Sequence, residues 1–170
     1  MAMKDLMAYP LGEHPQTAAV VPRVFPYRFT DGGRADSRRP KQQNDCTVVA
    51  LAVVTGTPYD AMYDLLAQDG GRKSWRGFNV DRWIYGRIDP AIGEPEYIFG
   101  WTAERLSFPA VKGQRRMNPA TFHTAFPAGR FMVRTAGHVH AVVDGVTLDT
   151  VAPDPDRCIY AAWRFTRVQP

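Results

Sequence analysis

GRFMVRTAGHVHAVVDGVTLDTV, residues 129–151, contains three short runs rich in β-branched residues, RFMVRT, HVHAVV and VTLDTV. Runs of this kind, bounded by glycine and turn residues, read as strands. Asp144-Gly145 between the last two suits a two-residue hairpin turn, which needs positive φ at both positions. Just upstream, NPATFHTAF offers Asn118 as a helix cap and Pro119 at the first helical position, so a brief helix precedes the strands.

Further back the periodicity changes. FTDGGRADSRRPKQQ, 29–43, is polar and turn-rich and reads as a surface loop. It leads into QQNDCTVVALAVVTG, 42–56, where Asp45 is placed to cap a helix opening at Cys46 and Gly56 to stop it. A second helix is expected at once, with Thr57 as cap, Pro58 at its first position and Asp60 at the capping-box position. It runs through YDAMYDLLAQ to Gly70-Gly71, with Tyr59, Met62, Tyr63 and Leu66 at core spacing. RGFNVDRWIYGRI suggests a short helix capped by Asn79, and TAERLSF another. Helices first and an antiparallel sheet after them make an α+β pattern. Residues 1–26, rich in Pro and Ala, read as an arm or lead-in, and 27–170 as a single domain.

Composition sets outer bounds. The 170 residues, 45% hydrophobic and 22% charged, suit one globular domain with a real core. The longest apolar run, Val48 to Val54, is too short to span a bilayer, and MAMKDLMAYPLGEHP lacks the pattern of a secretion signal. A cytoplasmic protein is expected, with its two cysteines as free thiols and no structural zinc. The net charge of +4 raises nucleic-acid binding, but the basic residues are scattered and a solvated basic surface is the favoured reading.

Chemistry enters with Cys46. A thiol one residue into a helix faces the positive end of the macrodipole and several unpaired N–H groups, which favour thiolate. A base is available on the hairpin. His138 and His140 share one face of their strand, and Asp149 falls opposite His140 and diagonal to His138 on that face. Either imidazole can therefore be oriented by the carboxylate; simple hairpin geometry leans toward His140. His123 on a short exposed helix and His14 in the lead-in have no visible partner and read as incidental. Cys158 reads as a strand or core thiol, and the four tryptophans as core or cleft-wall residues. DGGR, 31–34, is a turn that leaves open a role in shaping a cleft, and GGRKSWRG a loop that could cover one.

A Cys opening the first long helix, with His and Asp on later neighbouring strands, resembles the chain order of papain-like cysteine peptidases. More narrowly, DGGR, the DC at the helix start, TGTPYDAMY, GRFMVR, and GH followed by AVVDG and LDT resemble a group of small bacterial and phage proteins. That group is distantly similar to the bacteriocin-processing C39 peptidases. The resemblance implies a papain-like fold with Cys46 as nucleophile, His138 as base and Asp149 as orienting acid, with His140 as the alternative base. It also implies an oxyanion-hole Gln about six residues before the Cys, where this chain has Pro40; Gln43 or Gln42 would have to substitute. The second acid that often follows the DT pair is displaced here, to Asp154.

The expected function is a cysteine hydrolase, a peptidase, amidase or isopeptidase, acting through a thioester on a peptide or protein substrate with no cofactor or metal. The host cytoplasm or a virion is the expected setting if the chain is phage-encoded. The alternative is a weakly active or inactive papain-like fold kept as a binding or virion structural protein.

Overall fold

A computed structural model describes residues 25–88 and 97–168. In chain order the elements are β1 (Tyr27–Phe29), α1 (Cys46–Thr55), α2 (Tyr59–Gln68), α3 (Val80–Ile88), β2 (Trp101–Ser107), α4 (Pro119–Ala125), β3 (Arg130–Thr135), β4 (His138–Val143), β5 (Val146–Asp149) and β6 (Ala161–Arg167). The strands form one sheet in the order β1-β5-β4-β3-β6-β2. The architecture is α+β, as expected.

The sheet is mixed rather than antiparallel. β1, whose last residue Phe29 was expected to open the surface loop 29–43, pairs parallel with β5, Phe29 beside Asp149. The other pairings are antiparallel. TAERLSF is a strand, not a helix. Ala103 and Leu106 are three apart, which imitates helical spacing, but they enter different core clusters on opposite faces of the sheet. Pairing of β2 with β6 along its whole length decides the matter. Asp144 (φ 48°) and Gly145 (φ 74°) both adopt positive φ, as the two-residue turn between β4 and β5 requires.

Alternation along the strands divides the core. Met132, Ala141, Leu148 and Trp163 face α1, α2 and α3, while Phe131, Val142, Ile159 and Ala162 pack with Phe122 of α4. α1 is apolar on nearly every side, and Val48 through Ala52 and Val54 are all buried. Such a helix belongs inside a domain, and each fully buried Val or Leu contributes about 1.5–3 kcal/mol. Its C-terminus ends at Gly56 in the left-handed conformation. The carbonyls that the helix leaves over are satisfied by side chains from the sheet. Arg130 Nε and Nη2 donate to Val54 O (2.5 Å) and Val53 O (2.7 Å), and Trp101 Nε1 to Thr55 O (3.0 Å). α1 is thereby locked to β3, with its N-terminus directed at the sheet rim where β4 begins.

At α2 the expected caps differ. α2 is capped by Pro58 and begins at Tyr59, because the Thr57 hydroxyl accepts from Thr55 Oγ1 at 2.9 Å and does not turn to the helix. Asp60 serves no capping box; its carboxylate bonds the Arg38 N–H and Arg39 Nη1. Asn79 and Asn118 cap α3 and α4 as expected, accepting from Arg82 N and Thr121 N. Among the described residues no helix is long and apolar enough to cross a membrane. His14 and residues 1–24 of the expected arm lie outside the described residues.

Candidate active site

Cys46 is the first residue of α1 and only partly buried. The residue before it does not cap the helix with its side chain. Asp45 carries no cap hydrogen bond, because its buried carboxylate is claimed elsewhere. It accepts from Arg34 Nη1 (3.0 and 3.2 Å) and from the Tyr59 hydroxyl (2.6 Å). DGGR supplies this guanidinium. The Asp31 carboxylate accepts from the N–H groups of Gly33 and Ala35, closing the turn. Gly32 lies so near α1 that a Cβ would stand 3.2 Å from Val49 Cα, so only glycine fits there without a shift. The turn is seated one helical turn along from Cys46, and Arg34 also bonds Gln42 O at 3.3 Å.

The imidazole that meets the thiol is that of His138. Register along β4 and β5 puts Asp149 across from His140 and diagonal to His138. The carboxylate nevertheless bonds His138, Nε2 to Oδ2 at 2.6 Å. His138 is the first residue of β4, at the rim and half-exposed, whereas His140 is buried one rung deeper. With Nε2 taken by Asp149, Nδ1 is the nitrogen left for the hydrogen bond between His138 and Cys46. Asp149 is itself buried and steadied by β1, its backbone carbonyl accepting from Thr30 N (2.9 Å) and the Tyr27 hydroxyl (3.3 Å).

Charge follows geometry. Hydrogen bonds to Asp149 and to Cys46 outweigh burial and push the His138 imidazolium up to about 10. Burial pushes the Cys46 thiol up, but the bond to His138, the Val139 N–H and the imidazolium charge together carry it below the ordinary value. The pairing favours thiolate beside imidazolium more than an ordinary thiol would allow. His140 goes the other way: burial drives it down to about 4. Its Nδ1 has no hydrogen-bond partner among the described residues, and its ring stacks 6.2 Å from that of His138.

The thiol and His138 open onto a cleft of about 710 Å³, walled by Arg34, Lys41, Gln43, Trp75, Gly137 and Thr150 among others. Of the two glutamines expected at an oxyanion hole, Gln42 is buried and committed. Its amide donates to Gln43 O (3.0 Å) and accepts from Ser74 Oγ (3.0 Å). Gln43 is exposed on the cleft wall, and its side chain makes no hydrogen bond among the described residues. Trp75 is an exposed cleft-wall residue, held by Asn44 Nδ2 donating to its carbonyl at 2.9 Å; Trp83 and Trp163 are core residues.

Other expectations need correction. His123 is half-buried, not an incidental exposed residue: its Nδ1 faces Gly145 O (2.9 Å), its Nε2 faces Thr147 Oγ1 (2.8 Å), and Phe25 stacks on its ring. α4 lies over the β4–β5 hairpin, which a one-dimensional reading of PATFHTA could not reveal. Cys158 is exposed and lies in no strand, just before β6. Asp154 bonds the Asp156 N–H in its own turn and takes no part in the site. Arg34 and Tyr59 are site residues that the sequence reading does not reach, although DGGR stands just ahead of the thiol. Nothing in the sequence announced that Tyr59 would bond the residue before it.

One ligand atom each from His138, His140 and Asp149 lie within 4.8 Å of one another. A borderline divalent cation could use that set only by displacing the proton between His138 and Asp149.

Compared with family models, curated proteins and solved structures, the chain finds no match.

Proposed function

We propose that the protein is a cysteine hydrolase of papain-like architecture that cleaves an amide or isopeptide bond. The observation that carries this reading is the single file of Asp149, His138 and Cys46, with the sulfur at a helix start and open to a cleft. Cys46 thiolate attacks the carbonyl carbon, and the tetrahedral oxyanion forms near the Cys46 N–H, with the Gln43 amide within the same cleft wall. His138 gives its Nδ1 proton to the leaving amine, leaving a thioester on Cys46. The now neutral imidazole takes a proton from water, the hydroxide attacks the thioester, and carboxylic acid and thiol are released. Asp149 keeps the ring oriented and offsets its charge throughout.

A second reading, a binding or virion structural module on the same scaffold, draws on a specific feature. Pro40 stands where the oxyanion-hole Gln belongs, and Gln42 is tied to Ser74 and Gln43. Trapping separates the two. Incubation with a library of peptide amides and hydroxylamine should yield hydroxamates in a Cys46-dependent way if a thioester forms. No hydroxamate from any peptide, with the fold intact, would favour the binding module.

A further inference from the structure

Residues 72–77 form a ridge stapled to the segment that carries the thiol. Ser74 Oγ donates to Gln42 Oε1 (3.0 Å), Asn44 Nδ2 to Trp75 O (2.9 Å), and Arg72 Nη2 to Asn44 O (3.3 Å). Trp75 on this ridge walls the thiol cleft. The same ridge also borders a second hollow of about 690 Å³, between Asp69–Gly71 at the end of α2 and the start of α3.

Charge in the second hollow is one-sided. Lys73, Arg76 and Arg82 line it, all exposed, and none makes an ion pair among the described residues. Arg72 also lines it but is buried and committed, donating to Lys73 O and lying 4.5 Å over the Tyr63 ring. The carboxylate on the wall, Asp69, accepts from Trp83 Nε1 at 2.7 Å. Asp81, in the first turn of α3, is paired with Arg134. The hollow therefore presents three cations without an ion-pair partner among the described residues, with the N-terminal end of the nine-residue α3 adding partial positive charge beside them. Gly71 and Gly77 keep the walls low.

We propose that this hollow docks an acidic polypeptide segment, so that a substrate carries Asp or Glu residues on one flank of the bond presented to Cys46. The word substrate rests on the hydrolase reading; the docking does not. A polypeptide is favoured over a nucleic acid because the cations line one bounded hollow of about 690 Å³, the span of a few side chains. The aromatic pair within it, Phe78 and Trp83, packs edge to face with Trp83 buried, so only the half-buried Phe78 ring is left for base stacking, too little for a run of bases. Three exposed cations steer and select more than they bind, so a salt-sensitive interaction follows.

The test uses the full chain with Cys46→Ala, which prevents turnover, and fluorescence anisotropy with three labelled probes. These are a Glu-rich peptide, its Gln-for-Glu counterpart, and a single-stranded oligonucleotide of the same charge. The Glu peptide is expected to bind about tenfold more tightly than the Gln peptide, equivalent to about 1.4 kcal/mol. Added salt should erase the difference, and Arg76→Gln with Arg82→Gln should remove it. Both arginines are exposed, and unchanged circular dichroism would certify the variant's fold. Equal affinity for the two peptides, tighter binding of the oligonucleotide, or unaltered binding by the folded double variant would overturn the proposal. Hydrolysis is not read in this assay, so failed docking leaves the hydrolase reading standing, and absent hydrolysis leaves docking to its own result.

Discussion

Arg34 Nη1 lies 3.0 and 3.2 Å from the two carboxylate oxygens of Asp45, the residue immediately before Cys46. A buried carboxylate beside a nucleophilic sulfur opposes thiolate formation unless a cation answers it. Arg34 does so from the DGGR turn, and the Tyr59 hydroxyl adds a hydrogen bond at 2.6 Å. Burial, together with that bond, holds the Tyr59 phenol protonated far into the alkaline range.

On the hydrolase reading Arg34 is expected to position and charge-balance Asp45, with a readout a merely structural role would not move. Arg34→Gln should raise the pH midpoint of Cys46 alkylation by about 1 unit, the scale of one uncompensated neighbouring charge. Asp45→Asn should lower the midpoint, and the double variant should return it close to wild type. Equal midpoints in all four proteins would contradict the role. Loss of stability alone would leave only packing.

Substitutions of Asp149 separate orientation from charge. Asp149→Asn keeps an acceptor for the Nε2–H of His138, so the ring stays in place while the charge is lost; Asp149→Ala removes both. Hydrolysis should fall in the order wild type, Asn, Ala, with the Ala variant down by about 10²-fold or more. The pH profile should shift with it. The His138 midpoint, held up to about 10, should fall in both variants, as followed by NMR of the ring. Identical activity in wild type and Ala would remove the acid from the mechanism.

Acid sensitivity should trace to His140. Its folded value of about 4 lies below the ordinary 6.5, so between those values the unfolded chain binds the extra proton. The stability it lends is therefore complete above about pH 6.5 and lost as pH falls toward 4, on the order of 3 kcal/mol in all. His140→Leu removes a buried ring nitrogen that has no partner among the described residues. The variant should match or exceed wild type at pH 7 and show a flatter decline in denaturant midpoint between pH 6.5 and 4. Parallel declines in the two proteins would assign the acid lability elsewhere.

The strands of the β4–β5 hairpin and their Asp144-Gly145 turn were legible because the signal is local, alternation plus a dipeptide with a conformational demand. So was the start of α1, where an apolar run follows a polar loop. β1 was not, because three residues, YRF, carry no period; parallel pairing with β5 makes them a strand. β2 was misread because Ala103 and Leu106 serve opposite faces of the sheet at a spacing a helix would share. For the site, register put Asp149 on the correct face but favoured His140. Only the depth of each rung in the sheet separates a rim imidazole from a buried one. Arg34 escaped notice as a site residue because its partner lies on another element, and sequence order says nothing of that meeting.

The central claim is that Cys46 gives up its proton beside His138 more readily than an ordinary thiol, and iodoacetamide labelling across pH 4–10 tests it most directly. Cys158 is exposed and must first be replaced by Ser so that one thiol is counted. The labelling midpoint should lie below the ordinary thiol value of about 8.5 and return to it in His138→Ala. A midpoint at or above that value in the parent, or one unchanged by loss of His138, would contradict the account.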